Sequence, residues 1–239
     1  DLKALPEGIL KNFNIDYNEG MLKESSFSYQ SDLGTNISVK GLIKSNNIFD
    51  SNLNIELTST SSEEILELIN NFNFLDKFPK IEFDQLKINS ALNKGLFKID
   101  TLNVIDGESN ATISGEIDIY NKDYRNLEIK LTKFNQFNLF PFPQLEQILT
   151  SLDTNYIDLD CFLTDTNLEI VNLEIPVSRN SNLNITGEVN LKNFKETFLN
   201  IKFNDIKPFH IKTILDQTNQ LRYLNYIELI NFEEIQGSI

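Results

Sequence analysis

The sequence predicts a mainly β protein, an elongated, curved antiparallel sheet carrying a few short helices. Three observations predict it. A repeat of about 73 residues runs along the chain, apolar side chains alternate strictly inside each copy, and short polar turns separate the alternating runs.

The repeat is anchored on Gly41, Gly115 and Gly187, which are 74 and 72 residues apart. Nineteen residues before each glycine stands a Leu (Leu22, Leu96, Leu168), six after it an Asn (Asn47, Asn121, Asn193), and twelve after it another Leu (Leu53, Leu127, Leu199). Agreement at so many offsets points to one structural unit used three times. Around each anchor the apolar residues alternate: Ile37, Val39 and Ile43; Ile113, Ile117 and Ile119; Ile185, Val189 and Leu191. Period two signals a strand with one apolar face, and a glycine on that face permits a bend or a close backbone approach. A polar turn follows at Ser45-Asn46-Asn47, Asn121-Lys122-Asp123 and Lys192-Asn193. Then come Leu53, Ile55 and Leu57; Leu127, Ile129 and Leu131; Leu199, Ile201 and Phe203, again alternating. Upstream, a further strand enters each unit through a turn at Asp32-Leu33-Gly34, at Asp106-Gly107 or near Ser178-Arg179-Asn180.

Each copy then holds a short helical pattern. Ser61-Ser62-Glu63-Glu64 offers a capping box ahead of Ile65, Leu66, Leu68, Ile69 and Phe72. Pro141 and Pro143 precede Leu145, Ile148, Leu149 and Leu152, and Pro208 precedes Ile211, Ile214, Leu215 and Leu221. A return strand closes each unit at Ile81/Phe83, Ile157/Leu159/Cys161 and Ile227/Leu229. The unit is therefore four strands plus one short amphipathic helix. Residues 1–239 read as a single repeat-built domain, with repeats over 1–80, 81–154 and 155–239.

Short connections make successive strands antiparallel neighbours. Roughly a dozen twisted strands in one sheet are expected to curl. The sequence supplies no second sheet to cover the apolar face, so that face is expected to form a groove incompletely filled by protein. Its lining is expected to be the eighteen alternating residues named above, Ile37 to Phe203, with Phe134, Phe137, Phe140 and Phe142 enlarging it.

Composition narrows the function. Lys and Arg number 21 against 35 Asp and Glu, a net charge of −14, which disfavours nucleic acid as a partner. One Cys, one His and one Met exclude an internal disulfide and a Cys/His zinc cluster. No run approaches the roughly 20 apolar residues of a membrane span, and no signal-peptide pattern opens the sequence. With Asp1 first, the chain reads as a piece of a longer protein.

Two stretches carry a family resemblance. They are Ile113-Ser114-Gly115-Glu116-Ile117-Asp118-Ile119 with Leu127-Glu128-Ile129-Lys130-Leu131, and Ile185-Thr186-Gly187-Glu188-Val189-Asn190-Leu191. Together with the order Ser61–Ile69, Phe78-Pro79, Leu96–Ile99 and Leu102, they make the chain resemble the AsmA-like family, whose relatives include the TamB and YhdP types. The resemblance implies a bacterial envelope protein, periplasmic and tethered to the inner membrane by an anchor outside these residues. It implies that phospholipid acyl chains are the partner, moved along an apolar β-groove between inner and outer membranes. It implies no cofactor, no metal and no catalytic residue. The alternative is a structural or adhesive β-repeat module with a closed core that binds protein partners through edges or loops.

The remaining chemistry reads as structural. Cys161 continues the alternation of Ile157 and Leu159, which suits a small buried hydrophobe, and His210 stands beside Pro208 at a helix start. Neither is accompanied by a nucleophile elbow or an oxyanion motif. Asp158 and Asp160 are paired carboxylates on one strand face, as glycosidases require across a cleft, but they occupy the polar half of the alternation. Asp16-Tyr17-Asn18-Glu19-Gly20 has calcium-loop residue types, but Gly20 is one position early and the spacing fails. Asn36, Asn110 and Asn184 open Asn-X-Ser/Thr triplets, which we read as strand sequence.

Overall fold

The apolar alternation is realised as strands paired in chain order. The computed structural model describes residues 8–18, 21–44, 47–71, 81–121, 124–136, 154–178, 181–193, 196–206 and 235–238. Among them lie strands β1 (Gly8–Asn18), β2 (Met21–Ser31), β3 (Asn36–Lys44), β4 (Asn52–Ser59), β5 (Gln85–Asn93), β6 (Leu96–Asp106) and β7 (Ser109–Asp118). They continue as β8 (Arg125–Phe134), β9 (Ile157–Thr164), β10 (Asn167–Ser178), β11 (Ser181–Asn190), β12 (Phe198–Ile206) and β13 (Ile235–Ser238). One helix, α1 (Ser62–Asn71), follows β4, and a 3₁₀ turn spans Ile48–Asp50. Every strand neighbours the strand before it in the chain, from β1 through β13. The mainly β antiparallel class expected from the sequence is the one observed.

The chain divides into two compact units, Asp1–Ile129 with Leu163–Asp165, and Lys130–Phe162 with Thr166–Ile239. The division falls inside β8. The sequence repeat places its boundaries elsewhere, at 80 and 154.

Local geometry recurs with the repeat. Gly41, Gly115 and Gly187 have φ of 145°, 131° and 134°. A Cβ there would stand 2.1 Å from Asn52 O, 2.0 Å from Asn126 O and 2.2 Å from Phe198 O, respectively. Backbone thus meets backbone where only glycine fits. Next to each anchor pair the facing strand slips by one residue: between Leu22 and Ser25, Ile99 and Leu102, and Ile170 and Leu173. These are bulges, each re-phasing the alternation so that the apolar set stays on one face. The repeated Asn closes a turn in all three copies. The carbonyls of Asn47, Asn121 and Asn193 accept from the amides of Asp50 (3.1 Å), Tyr124 (2.8 Å) and Glu196 (2.9 Å).

Several sequence expectations need correction or restriction. Residues 81–83 are not strand; the return strand of the first copy is β5, which begins at Gln85. Ile81 and Phe83 alternate like a strand, but Asp84 bends the chain after them and its amide donates to Ile105 O at 2.8 Å. Strand β1 is an addition to the expected elements, and Asp16, Tyr17 and Asn18, whose spacing already fails for a calcium loop, lie in it. The helices expected after Pro141 and Pro208, the strand at Ile227/Leu229, and Phe137, Phe140, Phe142 and His210 lie outside the described residues.

Helix α1 forms where the capping box stands, but the box is only half used. Ser61 Oγ accepts from Glu64 N at 3.3 Å, while the Ser61 amide donates to Ser59 Oγ at 3.0 Å. The Glu64 carboxylate instead turns inward, 3% exposed, and accepts from Ser31 Oγ at 2.6 Å and Thr35 Oγ1 at 2.5 Å. Thr35 Oγ1 also meets Ser59 Oγ at 2.8 Å. Leu68, one turn on, is buried. The helix is fastened to the β2–β3 turn by this hydroxyl–carboxylate cluster.

Candidate functional site

Register turns the alternation into two chemically opposite faces. In the first unit, Tyr29, Ile37, Leu57, Ile88, Leu102 and Ile113 pair across β2 to β7 in one unbroken apolar row. Beside it run Phe27, Val39, Ile55, Ser90, Ile99 and Gly115, and then Ser25, Gly41, Leu53, Leu92, Phe97 and Ile117. Side chains directly opposite on paired strands share a face. The intervening rows are polar: Gln30, Asn36, Thr58, Lys87, Asn103 and Thr112 form one of them. In the second unit, Leu173, Ile185 and Ile201 form one apolar row and Ile175, Leu183 and Phe203 another. Glu174, Asn184 and Lys202 hold the opposite face there.

The expected lining residues fall on these rows. Ile37, Val39, Leu53, Ile55, Leu57, Ile113 and Ile117 share the first unit's apolar face, with Ile43 opposite Leu22. Leu127 and Ile129 follow in β8. Ile185, Leu199, Ile201, Phe203 and Val189 belong to the second unit's face, and Leu131 lies in that unit's part of β8. Ile119 and Leu191 stand one residue beyond β7 and β11, each held by its amide, to Gly95 O (2.8 Å) and Thr166 O (2.7 Å). Of the eighteen, only Leu53 and Leu131 are buried; the other sixteen are half-buried. Phe134 is buried.

Sequence reasoning left out half of the face. Leu86, Ile88 and Leu92 of β5, Phe97, Leu102 and Val104 of β6, and Leu173 and Ile175 of β10 complete the rows. Their signal was available as the same alternation, broken in phase at each bulge.

The other candidates are placed plainly. Cys161 is buried, and desolvation, followed by the nearby Asp160 charge, pushes its thiol up to about 11. Asp158 Oδ1 accepts from the Lys133 amide at 2.8 Å. Asp158 and Asp160 border a hollow of about 170 Å³ with Lys130, Thr132 and Asn172, and a second of about 170 Å³ lies among Lys11, Ser28, Gln30, Asn36, Ser38, Glu56 and Thr58. Each is smaller than the roughly 300 Å³ at which small-molecule pockets begin. Among the described residues no group of three or more His, Cys, Asp or Glu is arranged to hold a metal, and no helix is long and apolar enough to cross a membrane.

No protein-family model, curated protein or solved structure matches this chain.

Proposed function

We infer that the chain binds phospholipid acyl chains on the apolar face of its sheet. The observation that carries this reading is the partial exposure of that face, on which Tyr29, Leu86, Leu92, Ile99, Ile175 and Leu183 are buried and most of their row neighbours are not. Sixteen of the eighteen expected lining residues are half-buried, although they are Ile, Leu, Val and Phe paired in continuous rows. An apolar surface of this kind is stabilised by whatever covers it, and each acyl CH₂ shielded contributes about 0.8 kcal/mol. A face left open to solvent leaves a headgroup in water, so no buried cationic pocket is needed for the phosphate. The resemblance to the AsmA-like family supports the same ligand. It extends the reading to transfer between inner and outer membranes in the periplasm, with an anchor outside this stretch.

Native mass spectrometry of the gently purified chain, followed by lipid extraction, tests the proposal. Co-purifying phospholipid is expected. It should be lost when Ile129→Asp and Ile201→Asp are combined in protein that keeps its circular dichroism spectrum. A lipid-free chain that also refuses added phospholipid would overturn the reading in favour of the closed structural module.

A further inference from the structure

One edge of the first unit carries exposed apolar side chains on a braced frame. The 3₁₀ turn places Ile48 at 54% and Phe49 at 39% exposure; the loop after β7 places Tyr120 at 55% and Tyr124 at 41%. These segments do not hang free. Phe49 O accepts from the Gly95 amide at 2.7 Å, and Gly95 O accepts from the Ile119 amide at 2.8 Å, so the β5–β6 turn is bonded on both sides. The Tyr120 ring covers Gly95, where a Cβ would stand 2.4 Å from Cδ2. Its hydroxyl donates to Asp50 Oδ1 at 2.6 Å and accepts from Asn47 Nδ2 at 2.8 Å, while the Tyr124 hydroxyl donates to Glu116. Asp118 Oδ1 accepts from the amides of Tyr120 (2.8 Å) and Asn121 (3.0 Å).

We propose that this braced edge, Ile48, Phe49, Tyr120 and Tyr124, docks into the interfacial layer of a zwitterionic bilayer, a role that rests on the acyl-chain reading above. Tyrosine rings and aliphatic side chains favour that layer because it accepts an apolar body beside polar groups. Both hydroxyls already have partners within the protein, so entering the layer strands no donor. The carboxylates of Asp50, Glu116 and Asp118 stand beside the rings and, with a net charge of −14 on the chain, outweigh the exposed Lys94 of the β5–β6 turn in disfavouring anionic headgroups. The apolar groups are also held in place before contact, which reduces the ordering cost of docking.

The chain has no Trp, so a single introduced indole reports its own surroundings without background. Ile48→Trp tests the edge. Leu33→Trp, 64% exposed in the turn at the opposite end of β3, is the control. With vesicles of phosphatidylcholine alone, Ile48→Trp emission is expected to shift to the blue while Leu33→Trp stays unchanged. Phe49→Trp gives a second reporter if the first variant misfolds. Ile48→Asp with Tyr124→Ser should weaken co-sedimentation with the same vesicles by at least about tenfold. Absence of a shift at both edge positions, or an equal shift at Leu33→Trp, would overturn the proposal. So would binding only to a protein partner. Lipid retention in native mass spectrometry reads the acyl-chain site separately, so a chain that keeps its lipid but ignores vesicles fails this proposal alone.

Discussion

The Tyr120 hydroxyl donates to Asp50 Oδ1 at 2.6 Å across 70 residues of chain, joining corresponding turns of the first and second repeats. That bond is the first cause of the raised Tyr120 pKa, as the bond to Glu116 is for Tyr124; for Tyr29 burial comes first, ahead of the Glu64 charge. In each case the neutral phenol is favoured in the folded chain.

Alkaline titration should therefore resolve a late class of phenols. The folded-state pKa values lie above the ordinary 10.0, so the stabilisation they bring is complete below pH 10 and is lost as pH rises through the folded values. Ultraviolet difference spectra should show these tyrosines ionising after free tyrosine, and Asp50→Asn should bring one of them forward. Ionisation of all the phenols in a single step at 10 would contradict this.

Glu64→Ala removes the acceptor shared by Ser31 and Thr35. Thr35 Oγ1 keeps Ser59 Oγ as a partner, but Ser31 Oγ loses the acceptor of its proton, and leaving one buried hydroxyl donor unpaired costs about 1–3 kcal/mol. Urea unfolding followed by circular dichroism should show a midpoint lowered accordingly; an unchanged midpoint would mean that α1 is not fastened by this cluster.

Two glycine substitutions separate conformational strain from collision. Gly107 has φ of 57° with nothing near its missing Cβ, so Gly107→Ala carries backbone strain of about 1 kcal/mol. Gly115→Ala adds a contact of 2.0 Å with Asn126 O and should be clearly the worse of the two in thermal melts. Equal melting temperatures would refute the close approach at the anchor.

Cys161 should be chemically quiet. With its thiol at about 11 against an ordinary 9.0, its thiolate fraction at pH 8 is about a hundredfold lower, before steric shielding from the reagent is counted. Iodoacetamide should label the unfolded chain at least about a hundred times faster than the folded one. Comparable rates would show an open path to the sulfur.

Much of this fold is legible in the sequence because a strand with one dry face must alternate. Ile37, Val39, Leu53, Ile55 and Leu57 announce their face, and the glycine anchors announce the units. The bulges are harder to read, since Leu168 and Ile170 are followed by Leu173 and Ile175 in the other phase, and only pairing shows that both sets share one face. Ile81 and Phe83 mislead for the opposite reason: alternation over two positions also suits an irregular segment. Glu64 escapes prediction because its capping role is local, whereas Ser31 and Thr35, which capture its side chain, are 33 and 29 residues away. The site was half legible, with β5, β6 and β10 left out although the same alternation runs through them.

Strand order equal to chain order has a consequence for how such a chain is inherited and how it folds. Strands that pair only with their predecessors need no rethreading when a stretch the length of one repeat is duplicated or lost, so length varies without a change of topology. Each new strand has its template already laid down, and within each run of short turns pairing advances from hairpin to hairpin with little loop-closure entropy, the longer connections β4–β5, β8–β9 and β12–β13 being the slower steps. The hazard is mispairing between equivalent strands one repeat apart, such as β2 and β6. The Tyr120–Asp50 bond distinguishes the two repeats, because its tyrosine has no counterpart in the first, where the equivalent position holds Asn46.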